Sequence, residues 1–391
     1  MRVSRLIAAL VVCAIPSASR ADEAEDAVAK VVEKLGGRVE RDPTGAVVGV
    51  NLSSTEVTDD ELRPLARLGK LSRLDLGDTK VTDAGLRHLA PLTGLTDLRL
   101  CRSYTRVTDA GLKELAPLTR LTRLDLFATG VTGAGVRHLA RCTALADLDL
   151  GSTAVGDDGL AALRPFTRLT ALGLYGCPIT DAGLRHLAPL ARLEILHLTE
   201  TPVTDAGLMN LSRLQTLVAL DLNGTKITDA GLVHLAPLAR LTHLSLRFTA
   251  ASDTGLTHLA GLTGLTDLLL DGTRVTDAGL KHLTRLTGLR HLDLGYTQVT
   301  DAGLGSVVGL PRLSVVGLDG TRVSDAGLKH LARIGGLTEL SIRDTSVSDA
   351  GVGDLIRLSR LTILTVAGNK ITGAGVAALE KGLPMCKVVD Q

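Results

Sequence analysis

The chain has 391 residues, with 43 Lys and Arg against 42 Asp and Glu; 45% of it is hydrophobic, yet only 2% is aromatic and there is no Trp. So even a charge balance excludes the clustered basic footprint of a nucleic-acid binder and an electrostatic membrane anchor, and so few aromatics oblige any core to be aliphatic. Length alone suggests two or three domains, but an unbroken internal repeat overrides it in favour of one elongated domain.

The N-terminus reads as a secretory signal, residues 1–21. Arg2 and Arg5 form its positive region, Leu6 to Ile15 an apolar run too short to span a bilayer, and Ser19-Arg20-Ala21 a cleavage site before Asp22. Removing it leaves 40 basic against 42 acidic residues. A lipid anchor through Cys13 is the weaker alternative, because Val12 stands where a small residue is wanted. The mature chain has no transmembrane segment, and its expected place is outside the cell or in the periplasm and envelope. Residues 22–49 read as an N-terminal cap. Asp22 to Leu35 is an amphipathic helix with Val28, Val31, Val32 and Leu35 on one side, and a hairpin follows through the turn Asp42-Pro43-Thr44-Gly45 into Val47 to Leu52.

Residues 50–382 repeat. One unit reads Leu71-x-x-Leu74-x-Leu76-x-x-Thr79-x-Val81-Thr82-Asp83-Ala84-Gly85-Leu86-x-x-Leu89-x-x-Leu92. The glycine recurs at 13 positions from Gly85 to Gly375 in steps of 24, except for a first step of 26, and a weaker copy precedes with Glu61 in its place. Such a period is the signature of a solenoid, whose units bury their apolar faces only by stacking. Leu74-x-Leu76 predicts a short strand with Asp75 outward. Thr79 is expected to satisfy turn backbone between layers. Asp83 is expected to be a helix N-cap, and its column is filled from Asp59 to Asp349 apart from Gly133, with Gly373 after it. Leu86, Leu89 and Leu92 give the apolar face of a short helix that Pro91 limits. The periodic glycines are read as turn residues. Residues 383–391 are a C-terminal cap, with Met385 to Val389 a last strand beside Leu364-x-Val366.

Fourteen such copies resemble the leucine-rich repeat family. The usual Asn after the strand is replaced by Thr in most copies, by Cys177 in one and by Asn369 in the last, which is similar to the cysteine-containing, ribonuclease-inhibitor-like subclass in a secreted bacterial setting. Eukaryotic members of that subclass often sit behind an F-box; no such segment is seen here. The resemblance implies an α/β curved horseshoe of about 14 repeats, with a parallel sheet on the concave face and short helices on the convex one. It also implies a non-enzymatic binding protein without cofactor, whose partner is a protein or peptide, or else a glycan. Two other readings stay open: a structural envelope component without a specific ligand, and a host-directed effector or ubiquitin-ligase-type adaptor.

Chemistry-bearing residues mostly have structural duties. Seven histidines from His88 to His330 share one helix position, too far apart in a stack to share a zinc ion. The Asp column lacks the glycine-rich pattern of calcium-binding solenoids. Cys101, Cys142, Cys177 and Cys386 lie in different repeats and are expected to be free thiols. No nucleophile–base–acid set stands out. Outward strand residues are the informative ones, since folding does not dictate them. Arg73, Asp97, Arg123 and Asp147 alternate in sign, and so partly neutralise the N-terminal half of the concave face. Of six aromatics only Phe166 falls in a core column; Tyr104 lies in the two-residue insertion, and Phe127, Tyr175, Phe248 and Tyr296 just follow the strands. These four aromatics, with Arg99, His197 and Asp221 for polar contacts, form the expected partner-binding set.

Overall fold

A computed structural model describes residues 20–390; residues 1–19 of the expected signal lie outside them. Helix α1 (Arg20–Lys34) leads to strands β1 (Arg38–Arg41) and β2 (Val47–Asn51), which pair antiparallel. From β2 onward every step is parallel and in register, Val50 beside Leu74, Leu74 beside Leu98, and so on to Leu364 beside Val388. The result is one 16-stranded sheet ending on Lys387–Val389. The two-residue insertion forms a short strand, Tyr104–Thr108, that pairs with Thr129–Gly130 off the main sheet. Among the described residues no helix is long and apolar enough to cross a membrane.

The repeat explains the elements. Three-residue strands such as Arg73–Asp75 bury their central leucine, and the next leucine, Leu76, turns into the same core. Leu86 and Leu89 are fully buried three residues apart. That spacing suits a helix that tightens, and the helix is α over Asp83–Leu86 and 3-10 over Arg87–Leu89. Repetition of these columns makes one continuous aliphatic core from Val28 to Leu383, with Phe166 as its one buried aromatic. Strands line the concave side of the horseshoe and helices the convex side.

Three local duties differ from the sequence reading. The helix N-cap is Thr82, whose hydroxyl accepts from Ala84 N, and not Asp83, which is the first helical residue. Asp83 acts on the next repeat: Thr108 donates its backbone N–H to Oδ1 at 2.7 Å and its hydroxyl to Oδ2 at 2.6 Å. The same two bonds run from each of the 12 aspartates to the cap of the following repeat, at 2.5–2.8 Å. Nor are the periodic glycines turn residues. They lie inside the short helices, where a Cβ on Gly231, for example, would meet only atoms of Asp205, with Asp205 Oδ1 well inside contact distance. The glycine is the notch that admits the preceding carboxylate. Finally, the Thr79 hydroxyl closes its own turn, donating to Leu76 O at 2.7 Å, rather than bridging layers. Among the described residues, bridging occurs where the residue changes: Cys177 Sγ reaches Leu150 O at 3.0 Å in the repeat before, and Asn369 Oδ1 accepts from Thr345 N at 2.9 Å.

The exceptions obey the same rule. The first repeat has no aspartate before it, and there Glu61 replaces glycine and accepts from Thr58 of its own repeat, N at 2.9 Å and Oγ1 at 2.6 Å, two bonds that hold its carboxyl below the usual range. Gly133 supplies no carboxylate, and the cap it would serve is Gly156, which has no hydroxyl.

Asp205→Ala should therefore lower stability by about 1–2 kcal/mol, and Gly231→Ala by a comparable amount. In the Asp205→Ala background Gly231→Ala should cost much less, because the carboxylate is gone, only the residue 205 Cα at 3.1 Å still crowds the new methyl, and alanine is the better helix former. Denaturant midpoints of the four proteins should show coupling above about 1 kcal/mol; additive losses would refute the notch.

Candidate concave-face binding site

Two surfaces are left after folding has taken its residues: a floor, made by the outward side chains of the strands, and a rim, made by the two residues after the second strand leucine.

The N-terminal floor is a set of ion pairs. Arg73 pairs with Glu40 of β1, Arg123 Nε lies 3.3 Å from Asp147, and Arg99 sits 3.8 Å from Asp75 and 3.7 Å from Asp97. Arg99 is therefore engaged with its own neighbours and stands four strands from His197. The central floor is different. His197 Nδ1 faces Asp221 Oδ2 at 3.9 Å, and Asp267 lies between His243, at 3.1 Å, and His291, at 3.6 Å. Together with Ala219, Ser245 and Leu269 they line a shallow depression of about 260 Å³. The Asp221 carboxylate beside His197 raises the imidazole above its ordinary 6.5. Burial opposes ionisation of Asp221, but His197 and the Asn223 N–H together hold its carboxyl below the ordinary 3.8. Burial pushes Asp149 up, against the Gly151 N–H, and the neighbouring Asp125 and Asp147 charges add to the rise.

The rim carries the aromatics. Each repeat has one residue in the left-handed region there, from Ser54 to Gly368. From Gly176 onward glycine fills every second such position, and between the glycines come Glu200, Phe248, Tyr296 and Asp344. Phe248 has φ 54° and is 63% exposed; Tyr296 has φ 54° and is 59% exposed. Bulky residues avoid this conformation, which costs each about 1 kcal/mol or more. A Cβ on Gly272 would run into the Phe248 ring, and one on Gly320 into the Tyr296 ring, so each ring lies along the rim over the following glycine. One position earlier, Phe127 and Tyr175 are half-buried with ring centroids 6.1 Å apart, and the Phe127 ring lies over Gly151. Glu200 beside the Tyr175 phenol pushes its pKa up. Arg247, on the same rim, bridges Asp271 and Asp293, the latter at 2.6 Å.

The expected set is thus divided. Phe127, Tyr175, Phe248 and Tyr296 are rim residues, His197 and Asp221 share the central floor, and Arg99 belongs to the N-terminal ion pairs. The sequence reading missed His243, Asp267, Leu269 and His291. Following the two outward columns past Asp149 to the end of the array would have found them, since they occupy the positions that Arg73 and Asp75 define.

Other reactive groups are not arranged for chemistry. Cys101, Cys142, Cys177 and Cys386 are free, and burial pushes the Cys101 and Cys142 thiols up to about 11. Among the described residues no three His, Cys, Asp or Glu side chains are placed to share a metal ion.

The family model described as Leucine Rich repeat matches residues 141–163, 213–236, 286–308 and 359–379. This chain is a leucine-rich repeat protein. Its solenoid is similar to the crystal structure of an internalin from Listeria monocytogenes, with 22% identity, a TM-score of 0.61, and 95% of this chain and 94% of that one covered. It is also similar to a Leptospira interrogans LRR protein, at 18% identity and a TM-score of 0.58, with 85% and 94% covered. A third neighbour is the ectodomain of the Arabidopsis receptor kinase HAESA in complex with a peptide hormone, at 15% identity and a TM-score of 0.53, with 95% and 77% covered. At these identities the likeness is one of fold. No curated protein matches the leucine-rich repeat chain.

The His197–Asp221 pair is open to a direct check. A raised imidazole pKa contributes stability in full below the ordinary value and loses it as pH rises through the folded one. Asp221→Asn should move the His197 NMR titration midpoint down toward 6.5, and should destabilise the protein more at pH 5.5 than at pH 8. An unmoved midpoint would show that Asp221 is not the cause.

Proposed function

We propose that this leucine-rich repeat protein is a non-enzymatic binding protein that holds a protein or peptide partner against the concave floor and the aromatic rim. The observation that carries this is the conformation of Phe248 and Tyr296. Two large apolar side chains occupy left-handed turn positions and face solvent, where other repeats use glycine, alanine or polar residues. Folding gains nothing from them there, and a partner gives them something to cover. Aromatic anchors on a rigid surface are the usual centres of binding energy. The solenoid supplies that rigidity, so association needs little ordering of the protein. A peptide hormone bound to the HAESA ectodomain, of similar fold, supports the kind of partner. The Leu6 to Ile15 apolar run supports export, which puts that partner outside the cytoplasm.

Phe127→Ala/Tyr175→Ala and Phe248→Ala/Tyr296→Ala should each reduce capture of the partner from the source organism's surroundings at least tenfold relative to the unsubstituted chain. Removing Phe248 and Tyr296 should leave the melting temperature unchanged or raise it. Capture that is equal for all three proteins would remove this surface from consideration.

A further inference from the structure

The central floor is unbalanced in charge. From the strand Arg123–Asp125 to the strand His291–Asp293 it presents Asp125, Asp147, Asp149, Asp221, Asp267 and Asp293. Against these six carboxylates stand Arg123, paired with Asp147, and Arg247 of the rim, paired with Asp293. Among the described residues no Lys or Arg pairs with Asp125, Asp149, Asp221 or Asp267. Asp125 and Asp149 are direct neighbours on adjacent strands, a like-charge placement that destabilises a sheet. Asp125, Asp149, Asp221 and Asp293 each accept the backbone N–H two residues on, a turn contact that leaves their charge unbalanced, whereas the N-terminal floor balances the same kind of aspartate by alternating signs.

Resting on the concave-face reading above, we propose that the partner segment is a basic, extended peptide lying along the central floor, and that acidification releases it. Cationic side chains of such a segment would supply the balancing charge that the fold withholds, with the Leu269 and Ala219 depression beneath the chain. From the Asp125 strand to the Asp267 strand is six strand spacings, about 29 Å, which an extended peptide of about nine residues spans. Release follows from the groups that face the carboxylates. His197 faces Asp221, with Asp147 and Asp149 near, and His243 and His291 flank Asp267. Neutral imidazoles leave the carboxylates free for an incoming ammonium or guanidinium. Imidazolium ions, which acidification forms, compete for the same oxygens.

The test uses fluorescein-labelled (Lys-Ser)5 and (Glu-Ser)5 decapeptides and anisotropy titrations with the full mature chain. At pH 7.5 the lysine peptide should bind at least tenfold more tightly than the glutamate peptide. Asp221→Asn/Asp267→Asn should weaken it at least fivefold, whereas Glu33→Gln/Glu380→Gln, which removes the same charge from elsewhere, should not. At pH 5.0 the unsubstituted protein should lose at least fivefold in affinity. His197→Gln/His243→Gln/His291→Gln should bind normally at pH 7.5 and lose most of that pH dependence. Equal binding of the two peptides, equal loss in both charge variants, or an acid loss that persists without the histidines would each overturn the inference. If the aromatic variants fail to capture partner while the two decapeptides bind alike, the inference falls and the concave-face reading stands; if capture is also indifferent to the aromatics, both fall.

Discussion

The structure depends on one recurring contact, the aspartate that leaves its own helix and grips the start of the next. Its two oxygens take the N–H and hydroxyl of the following Thr or Ser cap, and it passes through the space that a glycine leaves in the following helix. Asp-Ala-Gly-Leu is therefore half of two contacts, a carboxylate directed forward and a notch that receives the one behind. Leucine packing alone is non-directional and would tolerate slippage between layers. A two-point, charge-assisted bond does not, and it repeats at the same place in each layer. That is why the strands keep register from Val50 to Val388, and why the period varies only at the insertion. The departures follow from position: Glu61 where no donor repeat precedes, Gly133 and Gly156 lost as a pair, and Gly373 where no repeat follows.

With register fixed by the core and this contact, the outward strand positions and the rim are left with little folding duty beyond the turn N–H groups that aspartates such as Asp149 and Asp221 accept. The chain uses them unevenly. The first floor strands place opposite charges side by side, and the ion pairs close on themselves. The central strands place carboxylates beside carboxylates; burial raises Asp149 above its ordinary range, and the neighbouring Asp125 and Asp147 charges add to the rise. The rim keeps glycine in alternate turns but lays Phe248 and Tyr296 across the neighbouring glycines. Each choice subtracts from stability. A solenoid with so continuous an aliphatic core tolerates such losses, because each is local to one or two layers.

Much of this was legible from the residues. The period fixed the repeat count, the leucine columns fixed the strands and the buried face, and the placement of Phe166 apart from the other aromatics separated core from surface. The role of Asp83 was not legible, because a column in a repeat shows what each layer contains and not which layer it serves; a cap within a repeat and a clamp between repeats give the same column. The conformation of Phe248 was hidden for a related reason. A left-handed turn is usually announced by glycine, and here glycine marks it only in alternate repeats. Arg99 read as a free polar contact, yet it is shared between Asp97, two residues back on its own strand, and Asp75, which comes beside it once the strands pair.

The division between floor and rim also bears on how such a surface selects. On the proposed reading the rim aromatics would be sequence-tolerant anchors, since any apolar side chain can lie against them, whereas the floor carboxylates would discriminate by sign. A partner must satisfy both at once, because the two surfaces are carried on the same rungs and the sheet does not flex to present one without the other. Tyr175 follows the strand next to the one that carries His197, and Phe248 follows the strand that carries His243 and Ser245. On that reading, affinity from the rim and specificity from the floor would act on one segment of one ligand. Protonation of the floor can then remove the specific part of the interaction while leaving the anchors and the fold as they were.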